Sequence, residues 1–216
     1  MGMWSVTTWL IVINVAVYVL DGFSGNLLSD WGFFSALTAI YYLQVWRFIT
    51  FQFLHANFSH IFFNMLALYF FGPLIEGYLG PRKYLAFYLL CGTAGAGMYL
   101  ILWMLGLLQA GAQTPLIGAS AGIFGVLIAA ARVAPDTTVM LLFPPIPMKL
   151  KVMAWIMIAI AVFTVFSNGR NAGGEAAHLG GAALGALLIW QPQLLNVFAM
   201  WPPKRRKRRF FGDDWR

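Results

Sequence analysis

Charge is the scarcest property of this sequence. Only 10% of its 216 residues are Asp, Glu, Lys or Arg, while 61% are hydrophobic. A soluble globule of this size needs more polar surface than that, so the chain belongs in a bilayer. Its one cysteine, Cys91, excludes an intramolecular disulfide and, lying inside an apolar run, says nothing about redox compartment. With three histidines available, the metalloprotease pattern His-Glu-x-x-His is still absent. No internal repeat is visible, which weakens a transporter built from inverted halves. The first apolar run has neither a basic leader nor an Ala-x-Ala-like exit, so it is expected to stay as a membrane span.

What the chain does have is long apolar stretches. A helical span takes about 20 largely apolar residues, and six segments qualify: 4–20, 58–79, 84–108, 116–133, 152–166 and 174–190. They predict an all-α integral membrane protein. Aromatics make up 17% of the chain, with nine Trp, as suits a protein that meets two water–lipid boundaries. The long connection 21–57 is too polar around Trp46-Arg47 to span and too aromatic for open water, which predicts a partly embedded interfacial loop. Gly80-Pro81, Gln113-Thr114-Pro115, Pro144-Pro145-Ile146-Pro147 and the Asn- and Gly-rich 167–173 mark turns. Residues 1–192 therefore form one six-span domain, and 193–216 a basic tail.

A net charge of +7 raises nucleic acid as a partner. Six of the fourteen basic residues, however, form the run 204–209 directly after the last apolar segment, the place of a cytoplasmic anchor on anionic lipid. With both termini cytoplasmic, the inside holds Arg82, Lys83, Arg132, Lys149, Lys151, that run and Arg216. The outside holds only Arg47 and Arg170. Segments two, four and six then enter from the outer face, and polar residues of their first turns can meet. His60 and Asn64 share a face of segment two, Ser120 lies a few residues inside segment four, and His178 a few residues inside segment six.

A serine hydroxyl becomes a nucleophile when a neutral imidazole takes its proton. Ser120 and His178 are the pair at matching depth; His55 precedes segment two. The Asn64 amide, the His60 ring and the Ser120 backbone N–H are suitable donors to a developing oxyanion. Gly118, Gly122 and Gly125, with Ala177, Gly181 and Gly185, are small enough to press segments four and six together. Phe124, four residues after Ser120, is placed to stack on the His178 ring. Glu175, one turn above His178, is expected to face the outer loop, leaving a dyad. Each residue alone has a plainer reading. Gly-x-Ser is a common packing triplet, His178 by itself reads equally as an interhelical hydrogen bonder, and Asn64 reads more often as interhelical glue.

Taken together, His60-x-x-x-Asn64, Gly118-x-Ser120 and Ala177-His178-x-x-Gly181-x-x-x-Gly185 resemble the rhomboid intramembrane serine proteases in spacing, span and order. Trp46-Arg47 looks like that family's first-loop motif, and Glu76-x-x-Leu79-Gly80 like its junction between the second and third spans. The resemblance covers residues 4 to 190. It implies a six-helix rhomboid-like bundle in a prokaryotic cell membrane, with no cofactor and no metal. Ser120 would be nucleophile and His178 base and then acid, with Asn64, His60 and the Ser120 amide holding the oxyanion. Phe124 stands where relatives often have Tyr and lacks its hydroxyl. Partners would be single-span membrane substrates and lipid, not nucleic acid. Substrate would enter between segments two and five past Trp155 and Phe163, under a cap formed by 167–173. Three rivals remain: a non-catalytic rhomboid-like client binder, a transporter lined by the same polar residues, and a zinc protease using His60, His178 and Glu175.

Overall fold

The computed structural model describes residues 4–140 and 145–199. The basic run 204–209, Arg216 and Pro144 of the proline turn lie outside them. Helix α1 (Val6–Phe23) leads into a long loop that carries the short helices α2 (Leu27–Gly32) and α3 (Arg47–Thr50). Then follow α4 (Phe58–Leu79), α5 (Pro81–Met104), α6 (Ser120–Val133), α7 (Leu150–Phe166), α8 (Ala172–Trp190) and a last short turn, α9 (Asn196–Ala199). By length and composition α1, α4, α5 and α8 can cross a membrane; α6 and α7 are apolar but shorter. Large apolar side chains such as Trp155, Phe166 and Trp190 stand exposed around the bundle. In water such a surface would aggregate, and in lipid it is the solvated face.

Local chemistry sets the helix edges. Ser5 caps α1, its hydroxyl accepting from the Thr8 N–H, and the Asn57 side chain caps α4 at the His60 N–H. The expected first segment therefore starts two residues later and runs to Phe23. The third begins at Pro81 and not Tyr84, because Gly80 (φ +79°, ψ 157°) turns the chain sharply and Pro81 is preorganised for a first helical position. The fourth is corrected most. Residues 116–119 are not helical: Leu116 bridges in extended form to Phe34, and Gly118 has φ +130°. The all-α expectation also misses a small antiparallel pair, β1 (Thr138–Met140) with β2 (Pro147–Lys149). The pair brings Lys149 and Lys151 to Asp136 at 3.0 and 2.8 Å. This is an exposed cluster of little energetic weight.

Helices α5, α6 and α8 pack most tightly. A Cβ on Gly181 would enter the Ala121 carbonyl, and one on Gly185 would lie 2.6 Å from the Gly125 Cα. Glycine there lets α6 and α8 touch backbone to backbone. Two members of the expected stripe act elsewhere: Gly122 fits against Tyr88 of α5, and Gly118 precedes α6.

The long first loop is tied down from within. The buried Arg47 guanidinium donates to Gln44 Oε1, Phe33 O and Asp30 O and lies 4.7 Å over the Phe33 ring. Trp46 stacks on Trp31 at the exposed rim. On the other side of the bundle, the Glu76 carboxylate accepts from the Val6 and Thr7 N–H groups at 2.7 and 2.9 Å and from Thr7 Oγ1 at 2.8 Å. It thereby caps α1 from α4, where unpaired N–H groups and the helix dipole favour an anion. Replacing Glu76 with Ala leaves those donors unpaired at a cost of about 2–3 kcal/mol. The thermal unfolding midpoint in detergent is expected to fall by roughly 4–10 °C, while Glu76→Gln, which keeps one acceptor, falls less.

Candidate active site

One cavity of about 1440 Å³ opens into the bundle and meets the first turns of α4, α6 and α8. His60 and Asn64 reach it from α4, Ser120 and Phe124 from α6, and His178 from α8. Its lining also includes Met153 and Met157 of α7 and Phe63, Ala67 and Phe70 of α4. The expected gate residues Trp155 and Phe163 do not line it; both are 74% exposed on the outside of α7. The loop 167–173 does border it, through Asn168, Gly169 and Asn171. Asn168 Oδ1 accepts the Gln109 N–H at 3.1 Å, pinning this loop to the one before α6.

Ser120 is the first residue of α6, with Ala119 as its cap, and not a few residues inside as the sequence suggested. Its backbone N–H, like those of the next two residues, has no partner four residues back in the helix. Ser120 Oγ lies 2.7 Å from His178 Nε2. The Phe124 ring stacks on the His178 ring at 4.1 Å between centroids and 10° between planes, so the imidazole is fixed on one face. The expectation that Glu175 faces the outer loop is corrected. Three residues before His178 on the same helical face, it turns inward, and its Oε2 sits 2.8 Å from His178 Nδ1. Spacing alone could have suggested this contact; the choice between loop and ring depended on a rotamer.

Asn64 and His60 of α4 line the same cavity. Asn64 is 7% exposed, and its Nδ2 makes no hydrogen bond among the described residues, which leaves its N–H groups for a ligand. His60 Nδ1 accepts the Ala56 N–H at 3.4 Å, so the ring proton belongs on Nε2. That nitrogen faces Gly118, where a Cβ would stand 2.8 Å away. Gly118 is thus required twice, by its positive φ and by the ring beside it. His55 packs edge-on against His60 at 4.9 Å, a support that sequence reading assigned no role. Burial, and then the neighbouring His60, push the His55 imidazole down to about 3. No three His, Cys, Asp or Glu side chains among the described residues lie where they could share a metal.

The rhomboid domain model matches residues 42–192, most of the chain and all of the elements that build the cavity. The chain belongs to the rhomboid family. It is 31% identical over 225 aligned residues to rhomboid protease AarA of Providencia stuartii, covering 91% of this chain and 77% of that one. It is 31% identical over 187 residues to the mitochondrial rhomboid protein 1 of Saccharomyces cerevisiae and 28% over 197 to the chloroplastic rhomboid-like protein 11 of Arabidopsis thaliana. This rhomboid spans about half the length of the yeast relative, 51%, and 65% of the Arabidopsis one. It is a membrane protein of that family, with several apolar helices.

Two outcomes follow from the site's geometry. Gly118→Ala forces a strained φ and a clash with His60, a loss of about 1–3 kcal/mol in thermal stability. Gly97→Ala, on a helix face with open space around it, leaves stability unchanged or slightly raised. For His55 the folded value lies below the ordinary 6.5, so the unfolded chain binds the proton first. Stability is then full above about pH 6.5 and falls as pH drops toward 3, at up to about 1.4 kcal/mol per unit. Melting curves from pH 7.5 to 4.5 should show that slope, and His55→Gln should make it shallower.

Proposed function

We propose that this rhomboid is an intramembrane serine endopeptidase that cuts single-span membrane proteins near the outer face of the bilayer. The observation that carries the reading is the 2.7 Å contact between Ser120 Oγ and His178 Nε2 at a helix start inside a cavity. Ser120 Oγ attacks the peptide carbonyl carbon as its proton passes to His178 Nε2, and the carbonyl π pair moves onto oxygen. Asn64 Nδ2, His60 Nε2 and the Ser120 N–H donate to that oxyanion. The intermediate collapses, the C–N bond breaks, and the leaving nitrogen takes the proton back from His178. Water, deprotonated by the same imidazole, then releases the acyl-enzyme. The relative named rhomboid protease AarA supports this class of chemistry.

The membrane arrangement belongs to the same proposal. Six helices cross, α6 and α7 included, as one domain over residues 1–192, followed by the basic tail 193–216. Both termini are cytoplasmic, a reading supported by the skew of Lys and Arg between the loops. The bacterial relative, of which this chain covers the larger share, favours a prokaryotic cell membrane over an organelle. At 14 residues α6 is about 21 Å long against a hydrocarbon core of about 30 Å. With Val133 at the inner boundary, Ser120 sits roughly 9 Å below the outer one, within reach of water through the cavity. The opening between α4 and α7, beside Met153 and Met157, is the side door for substrate, and the 167–173 loop its cap.

Purified protein in detergent or liposomes is expected to cut a model single-span substrate, the products being located by mass spectrometry. Ser120→Ala and His178→Ala abolish cleavage with unchanged melting curves. Asn64→Ala lowers turnover by on the order of 10²–10³-fold, less where His60 carries part of the charge. Cleavage that persists in Ser120→Ala sinks the serine mechanism. Binding of substrate without any cleavage by the parent protein points instead to a non-catalytic client binder.

A further inference from the structure

We propose that Glu175 is a positioning residue that holds His178 in the Nδ1–H tautomer, so that Ser120, His178 and Glu175 act as a triad and not a dyad. The inference rests on the serine protease reading above for its catalytic meaning, although the tautomer itself does not.

The geometry is that of an imidazole engaged on both edges. Nε2 faces Ser120 Oγ at 2.7 Å, and Nδ1 faces Glu175 Oε2 at 2.8 Å. Phe124 covers one ring face at 4.1 Å. A neutral imidazole carries one N–H, and which nitrogen bears it decides whether the ring can act as base toward Ser120. An ionised carboxylate only accepts, so Nδ1 must donate to it. That leaves the Nε2 lone pair for the Ser120 hydroxyl proton, the arrangement attack requires. With the proton on Nε2 the ring would donate to Ser120 and take nothing from it. Phe124 can fix the plane of the ring, but an apolar face cannot choose between tautomers.

A second consequence concerns charge. Once Nε2 takes the serine proton the ring is an imidazolium, and the titratable group it faces from α4 is His60. Glu175 supplies negative charge on the far edge at the moment the ring becomes positive. Its side chain is 19% exposed and that of His178 13%, so water screens the pair incompletely. A helix-start carboxylate also complements the dipole of α8, a structural role that would alter stability and not the ring's proton.

The test uses the full chain. Glu175→Gln keeps the size and removes the charge. In the cleavage assay its kcat is expected to fall by at least about tenfold with KM within about twofold of the parent, because the group acts on the charged transition state and not on substrate binding. Nitrogen NMR of histidine-labelled parent protein reads the tautomer directly, and with three histidines in the chain the His178 signals are assigned by loss in His178→Ala. The expected result is Nδ1–H in the parent and a substantial Nε2–H population in Glu175→Gln. A parent ring protonated on Nε2, or a folded Glu175→Gln whose kcat falls less than tenfold, overturns the proposal. The parent spectrum decides even where the variant does not fold. Failure of the serine reading looks different: Ser120→Ala then still cleaves, while the tautomer result stands as measured.

Discussion

Everything in this rhomboid depends on how it pays for non-helical backbone beside Ser120. Inside lipid, an exposed peptide N–H or C=O has no water to bond, so irregular backbone survives only where protein supplies the partners. The segment 116–119 is such backbone, directly before the helix that Ser120 opens. Its partners come from the long first loop: Leu116 exchanges both bonds with Phe34 at 2.7 and 3.0 Å, and the Gly118 N–H donates to Phe51 O at 2.9 Å. A longer α6 would satisfy the same groups internally, yet it would consume the free N–H of Ser120 and carry the serine out of the cavity.

This requirement explains why the first loop is so heavily anchored. A loop that must hold out backbone acceptors at fixed positions cannot be mobile, and Arg47, buried among carbonyls of residues 30 and 33, fixes it from inside. Aromatic residues Phe34 and Phe51, almost wholly buried, fill the space between it and α5. The loop is therefore part of the scaffold that holds the start of α6 and Ser120 at the cavity. Its outer rim of Trp31 and Trp46 suits an interfacial position, apolar in body and polar at the ring nitrogen.

Much of this was legible in the sequence, because membrane spans announce themselves by apolar length and sites by polar residues that lipid would otherwise exclude. Helix α4 was read to the residue. Ser120, His178, His60 and Asn64 were named, and the structure brings them to one cavity. What escaped were features decided by a single torsion or a single neighbour. Apolarity cannot distinguish 116–119 from one more turn of helix; the bridge from Leu116 to Phe34, far back in the chain, makes that choice. Glu175 turned inward by rotamer. Gly118 looked like one more small residue in a packing stripe, whereas its φ and the His60 ring give it a different job. Trp155 and Phe163 lie on the outside of α7, away from the cavity; an all-round apolar helix does not advertise its inner face.

The packing glycines and the polar site are also less separable than the sequence suggests. Gly181 and Gly185 bring α8 against α6 at Ala121 and Gly125, one residue and five residues beyond Ser120. The distance between two hydrogen-bonding atoms on different helices is set by the distance between the helices. A Cβ at Gly181 would enter the Ala121 carbonyl, and relieving that contact by moving α8 outward would lengthen the 2.7 Å bond from His178 to Ser120. Proton transfer between two heavy atoms depends on their separation being held, so backbone contact between α6 and α8 and the Ser120–His178 contact are one constraint.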